Sequence, residues 1–178
     1  NTQNKNGVYS IQLYVNEKKY YEFQVDTLNF SKKRYINAHI DYAEYKTSSN
    51  KYHRCYTLLH NQLTNYNNLI NRGIIDLKNN ETHHIKLLVS DIYGNTSKLL
   101  FKVKTNYQKS TTSKPAHVDN SYVRFRLSSP NIFKADNISL YMSANTLYEP
   151  LKFNYTTGKL LEGTYGRVHH VHNNKTPL

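Results

Sequence analysis

Apolar and polar positions alternate with a period of two along three stretches of the chain. In residues 7–25, Tyr9, Ile11, Leu13 and Val15 share one parity. Tyr21, Phe23 and Val25 follow after the polar segment Asn16-Glu17-Lys18-Lys19. This predicts a β-hairpin with a four-residue loop, because alternation is the signature of a strand buried on one face. In residues 83–103, His83, Ile85, Leu87 and Val89 alternate, and Asp91-Ile92-Tyr93-Gly94-Asn95 breaks the pattern. Leu99, Phe101 and Val103 then resume it, with Lys98, Lys102 and Lys104 among their polar partners. Asp91, Gly94 and Asn95 supply turn chemistry, since Gly takes positive φ freely and Asp and Asn bond nearby backbone. A second hairpin is therefore expected.

Between the hairpins the pattern is weaker. Ile36, Ala38, Ile40 and Tyr42 alternate and suggest a strand, with a short helix possible after Asp41. Residues 55–70 read as an irregular crossing segment, and Gly73–Leu77 as a short strand. Periodicity is lost over 105–121, which reads as a linker. Short strands are expected beyond it at Tyr122–Leu127, Ile138–Met142, Leu151–Tyr155 and Arg167–Val171. Many short strands separated by turn signals imply an all-β fold. The expected organisation is an immunoglobulin-like β-sandwich over 1–104, the linker, and a second, smaller or truncated β-sandwich module over 122–178. About 57 residues are few for a free-standing sandwich, so the second module should be incomplete or docked on the first.

Composition adds bulk and charge to this picture. Seventeen Tyr and six Phe supply apolar volume that aliphatic counts understate. The 24 Lys and Arg against 12 Asp and Glu give a net charge of +12. The excess is dispersed, with no arginine-rich helix, finger or RNA-recognition motif, so a solvated basic surface is favoured over a nucleic-acid groove. Tyr20, Tyr21, Lys32, Lys33 and Arg34 form the candidate interaction surface. Cys55 is the single cysteine, which leaves no internal disulfide. No stretch reaches the roughly 20 apolar residues of a membrane-spanning helix. A chain that starts Asn1-Thr2-Gln3 without Met or signal peptide is expected to be a piece of a longer protein.

Candidate chemistry is sparse. His170 and His172 form a His-x-His on the last expected strand, where two imidazoles on one face could share a zinc ion. A third ligand could come only by nearness in sequence from Asp119, Asp136 or Glu162. Surface histidines on a final strand are the simpler reading. Adjacent His83 and His84 face opposite ways on a strand and cannot chelate together. His39 and Asp41 share a strand face and could form a surface ion pair. Nucleophile-elbow and phosphate-loop patterns are missing. Six Asn-x-Ser/Thr sequons are what a chain this rich in Asn and Thr gives by chance. No catalytic residue is assigned.

In their order, several segments resemble a known family: Gly7–Val15, Arg34–Tyr42, Gly73–Leu77, His83–Asn95, Asn145–Tyr155 and Val168–Leu178. Together they resemble the region downstream of the catalytic domain in Bacteroidota lysostaphin-type (LytM-type) zinc metalloendopeptidases, which are peptidoglycan hydrolases. The resemblance implies an accessory region in the periplasm or associated with the outer membrane. Its implied partners are its own catalytic domain, other envelope proteins or peptidoglycan, and not nucleic acid. Zinc would be held only by a parent catalytic domain. That domain uses His-x-x-x-Asp and a later His-x-His after Gly-Pro. No His of this chain has Asp four residues on, and His170-Val171-His172 lacks the Gly-Pro context. The alternatives from other classes are an interaction subunit of an outer-membrane assembly and a carbohydrate-binding module.

Overall fold

A computed structural model describes residues 7–77, 80–105, 122–135 and 137–177. The fold is all-β, built from antiparallel sheets. The first two strands, β1 (Ser10–Val15) and β2 (Lys18–Gln24), form the predicted first hairpin. Its loop is shorter than expected: only Asn16 and Glu17 lie outside the strands, with φ of 47° and 64°. Positive φ at both positions is the two-residue turn whose twist matches a hairpin. Asn16 also accepts a hydrogen bond from the His84 backbone N–H through its side-chain oxygen (2.8 Å), tying the turn to the neighbouring strand.

Three further strands complete one sheet: β3 (Tyr66–Asn67), β4 (Thr82–Ser90) and β5 (Thr96–Lys104). Their order is β3-β2-β1-β4-β5, so β5 is an edge. Odd-numbered side chains of β1 and β4, and of β2 from Tyr21 on, past a register irregularity at Tyr20, face one layer, where Ile11, Leu13, Val15, Tyr21, Phe23 and Ile85 form a buried cluster. The opposite face is polar. There Gln12 Nε2 donates to Glu22 Oε1, and the Lys19 ammonium lies 3.2 Å from the same oxygen.

The layer over the apolar face is built mostly from non-strand backbone. The strand expected through Ile36, Ala38, Ile40 and Tyr42 is instead a 3-10 helix, Phe30–Ala38, followed by α1 (Tyr42–Ser48). Local capping explains the change. Asn29 accepts from the Ser31 N–H, and Asp41 accepts from the Glu44 N–H at the start of α1. Asp41 is thus a helix cap. Residues 73–77 are not a strand either, because a short 3-10 turn, Asn71–Gly73, leads into irregular backbone. Gly73 needs its glycine twice over: its φ is +85°, and a Cβ there would lie 2.5 Å from the Cys55 carbonyl oxygen.

The linker expected at 105–121 lies, apart from Thr105, outside the described residues. Beyond it are β6 (Val123–Phe125), β7 (Asn131–Ala135), β8 (Ile138–Met142), β9 (Leu151–Phe153), β10 (Tyr155–Leu160) and β11 (Arg167–Val171). They pair as β6-β9, β7-β8 and β10-β11 around a small core of Phe125, Leu147 and Phe153. The Phe125 and Phe153 rings stack with centroids 4.4 Å apart.

The two modules share a core. Tyr148, in the loop between β8 and β9, is buried with Tyr35, Ala38, Leu58 and Leu63 of the first module. Its ring meets Tyr35 edge-on at 6.3 Å. Beside it the His60 Nδ1–H donates to the Leu147 carbonyl at 2.9 Å.

Candidate interaction surface

The histidines do not assemble a metal site. The strand carrying His170 ends at Val171, and His172 turns out of it with φ of 56°. The expectation that His170 and His172 share a strand face is therefore overturned. His170 is exposed and pairs with Thr156 in register. His172 is half-buried against the Phe153 ring, with Nε2 3.0 Å from the Thr176 hydroxyl. Glu162 is exposed in the turn between β10 and β11, and Asp119 and Asp136 lie outside the described residues. Among the described residues, no three His, Cys, Asp or Glu side chains come together as metal ligands would.

His39 is also placed differently from expectation. It forms no surface ion pair with Asp41 and is almost wholly buried, stacked on Phe23 at 3.8 Å. Its Nδ1 lies 3.1 Å from the Tyr66 hydroxyl and its Nε2 3.0 Å from His53 Nδ1. Asn61 Nδ2 donates to the Tyr66 oxygen, which leaves the Tyr66 hydroxyl proton for His39 Nδ1. His39 Nε2–H then donates to His53. Burial holds the His39 pKa down to about 3, with His53 and Arg54 nearby adding to the effect. A neutral, fully partnered histidine inside the core is a structural element of the covering layer.

The predicted interaction surface does not converge. Tyr21 is 0% exposed, at the centre of the sheet's core, so it cannot contact a partner. The large side chain at this position fills the space beneath the covering layer, and its hydroxyl donates to the Arg54 carbonyl. Tyr20 packs against the margin of the same cluster. Lys32 donates to Gln62 Oε1 at 2.8 Å, while Lys33 and Arg34 remain exposed. The Arg34 guanidinium donates to the Tyr35 hydroxyl (3.0 Å), at the seam between the modules. Phe30 next to this basic run is 86% exposed.

A different surface stands out. On β5, Leu99, Leu100 and Phe101 are 55%, 59% and 44% exposed, three consecutive apolar residues on an edge strand. Leu99 and Phe101 lie opposite Leu87 and Ile85 on the apolar face, beyond the reach of the covering layer. Leu100 points to the polar face opposite Lys86, where a depression of about 280 Å³ is lined by Glu17, His84, Lys86, Leu100 and Lys102, among others.

Among the described residues the outer backbone groups of this edge are also unpaired. Antiparallel strands direct alternate residues to one neighbour and then the other. Asn16 N–H donates to the His84 carbonyl, so even-numbered residues of β4 bond to β1. Asp91 N–H donates to the Asn95 carbonyl, so odd-numbered residues of β4 and β5 bond to each other. Thr96, Lys98, Leu100, Lys102 and Lys104 therefore aim their backbone N–H and C=O groups away from the sheet. Among the described residues no strand pairs with that edge.

The hairpin is held rigidly at its closed end. Asp91 Oδ1 accepts from the Tyr93 and Asn95 N–H groups, and Oδ2 accepts from the Asn95 side chain. These bonds, the Asn95 side chain foremost, hold the Asp91 carboxyl below its usual range. Gly94 supplies the positive φ, at 85°. Sequence reasoning found this turn and both strands. The signal it passed over is Leu100, an apolar residue on the polar parity that makes Leu99-Leu100-Phe101 continuous.

Comparison with known proteins adds one similarity. Residues 122–178, the stretch that forms β6 to β11, match the family described as Zu5-like domain. No curated protein and no solved structure matches the chain.

Proposed function

We propose that this chain is a non-catalytic binding region that holds another polypeptide by adding its strand to the edge of the five-stranded sheet. One observation carries the reading: a nine-residue edge strand with unspent backbone groups and Leu99, Leu100 and Phe101 exposed together. Strand addition draws affinity from main-chain hydrogen bonds and specificity from the alternating side chains. Native sheets ordinarily blunt or cover such an edge.

The ordered resemblance to the accessory region of lysostaphin-type peptidases supports a setting for this activity. The partner would then be the parent's own catalytic domain or another protein of the periplasm or outer membrane, and any zinc would belong to that catalytic domain. The region would position the enzyme at the wall while taking no part in cleavage.

The test is to pan a displayed library of short peptides against the full chain and map each binder by amide hydrogen exchange. Binders should slow exchange at Lys98, Leu100 and Lys102. Binders that leave those amides untouched, or a library that yields none, would sink the reading.

A further inference from the structure

The same edge carries information about what occupies it. Lys98, Leu100, Lys102 and Lys104 share the polar face of β5, and Leu99, Phe101 and Val103 share the other. Among the described residues Lys98, Lys102 and Lys104 have no acidic partner, whereas neighbouring Lys86 is engaged by Glu17. Lys98 and Lys102 thus bracket the apolar centre as two unneutralised cations on one face.

A second copy of this chain is a poor occupant. Pairing two β5 strands antiparallel with their Leu100 residues opposed sets Lys98 of each copy directly across from Lys102 of the other. Like charges placed opposite one another destabilise a strand pair. Edge lysines commonly guard against such self-pairing. Here the guard flanks an exposed Leu-Leu-Phe centre, which protection alone would not require.

We infer that the strand taken up by β5 has the pattern acidic-apolar-apolar-apolar-acidic and lies antiparallel. This inference rests on the strand-addition reading above. The two carboxylates fall opposite Lys98 and Lys102. The middle apolar residue falls opposite Leu100, and its two neighbours fall opposite Leu99 and Phe101 on the uncovered part of the apolar face. The N–H and C=O groups of Lys98, Leu100 and Lys102 pair with the incoming backbone. A strand with an acidic residue two places before the first carboxylate also meets Lys104. The partner class is thus an acidic, β-forming segment of another protein.

The experiment compares three synthetic peptides on the full chain: Ser-Thr-Glu-Val-Leu-Val-Glu-Thr-Ser, and the same peptide with Lys or with Ser in place of Glu. Binding is read by titration and by exchange at the β5 amides. The Glu peptide should bind about tenfold more tightly than the Lys peptide at low salt, since each cross-strand charge pair contributes a modest increment that salt screens. The double variant Lys98→Glu/Lys102→Glu changes two exposed side chains and should invert that order. Equal binding of all three peptides with β5 protected keeps strand addition and overturns the charge pattern. No binding by any peptide, with β5 exchange unchanged, overturns both. A concentration-dependent dimer protected at β5 overturns the choice of occupant in favour of a second copy.

Discussion

His39 takes its place in the core at the expense of its charge. With Tyr66 on one nitrogen and His53 on the other, both ring positions are partnered, and burial favours the neutral imidazole. Its pKa is held near 3, and that of His53 is also lowered, chiefly by burial. In the unfolded chain both titrate near 6.5, so below that pH the unfolded state binds more protons than the folded one. Stability is therefore full above about pH 7 and falls as the pH drops toward the folded-state value. For His39 alone the loss reaches about 2 kcal/mol by pH 5. Urea unfolding at pH 7.5 and pH 5 measures it, in a window above most carboxylate titrations. His39→Gln should lower stability at pH 7.5 and flatten the slope. A wild-type chain equally stable at both values would refute the neutral buried pair.

At the scale of the element, β5 offers a test that needs no partner. Its odd-numbered N–H groups bond to β4 and its even-numbered ones face outward. Proline at the two parities should therefore behave differently, because proline is tolerated in a strand where its missing N–H faces solvent. Leu100→Pro should leave the melting temperature within a few degrees while abolishing peptide capture. Leu99→Pro removes a ladder bond and should cost about 2 kcal/mol or more. Thermal unfolding of the two variants decides it, and equal losses would overturn the assigned hydrogen-bond parity.

The two hairpins were legible because a sheet buried on one face imprints a period of two on its sequence. Ile11, Leu13, Val15, Tyr21, Phe23 and Ile85 carry that imprint. The covering layer left no such trace. It is held by helix caps at Asn29 and Asp41, by a buried His–His–Tyr chain and by scattered residues such as Tyr35, Leu58 and Leu63. Backbone that is irregular has no period to read. The candidate edge was half legible. Its strand was evident, but alternation alone implied that Leu99 and Phe101 would be covered, and their exposure depends on how far the opposite layer extends. Tyr21 shows the converse: its place in the alternation marks it for the core, and counting it with the basic surface sets that signal aside.

For the whole molecule, the seam at Tyr148 matters most. Burying an aromatic ring among Tyr35, Ala38, Leu58 and Leu63 stabilises the joined state, and the His60 bond to Leu147 fixes the loop that carries it. Tyr148→Ala should cost about 3 kcal/mol. It should also split a single cooperative melt into two, one for each module. Calorimetry would show the separation, and an unchanged single transition would mean that the seam is held elsewhere. Among the described residues, no helix is long and apolar enough to cross a membrane.

The seam also changes where one should cut. The family match begins at residue 122, and a boundary drawn there looks natural on the sequence. Yet the ring that closes over Tyr35 and Leu63 comes from the far side of that boundary. A shortened chain ending before residue 122 would expose a greasy socket shaped for Tyr148. It would be prone to fill that socket with whatever is nearest. The unit that folds is larger than the stretch the family match marks.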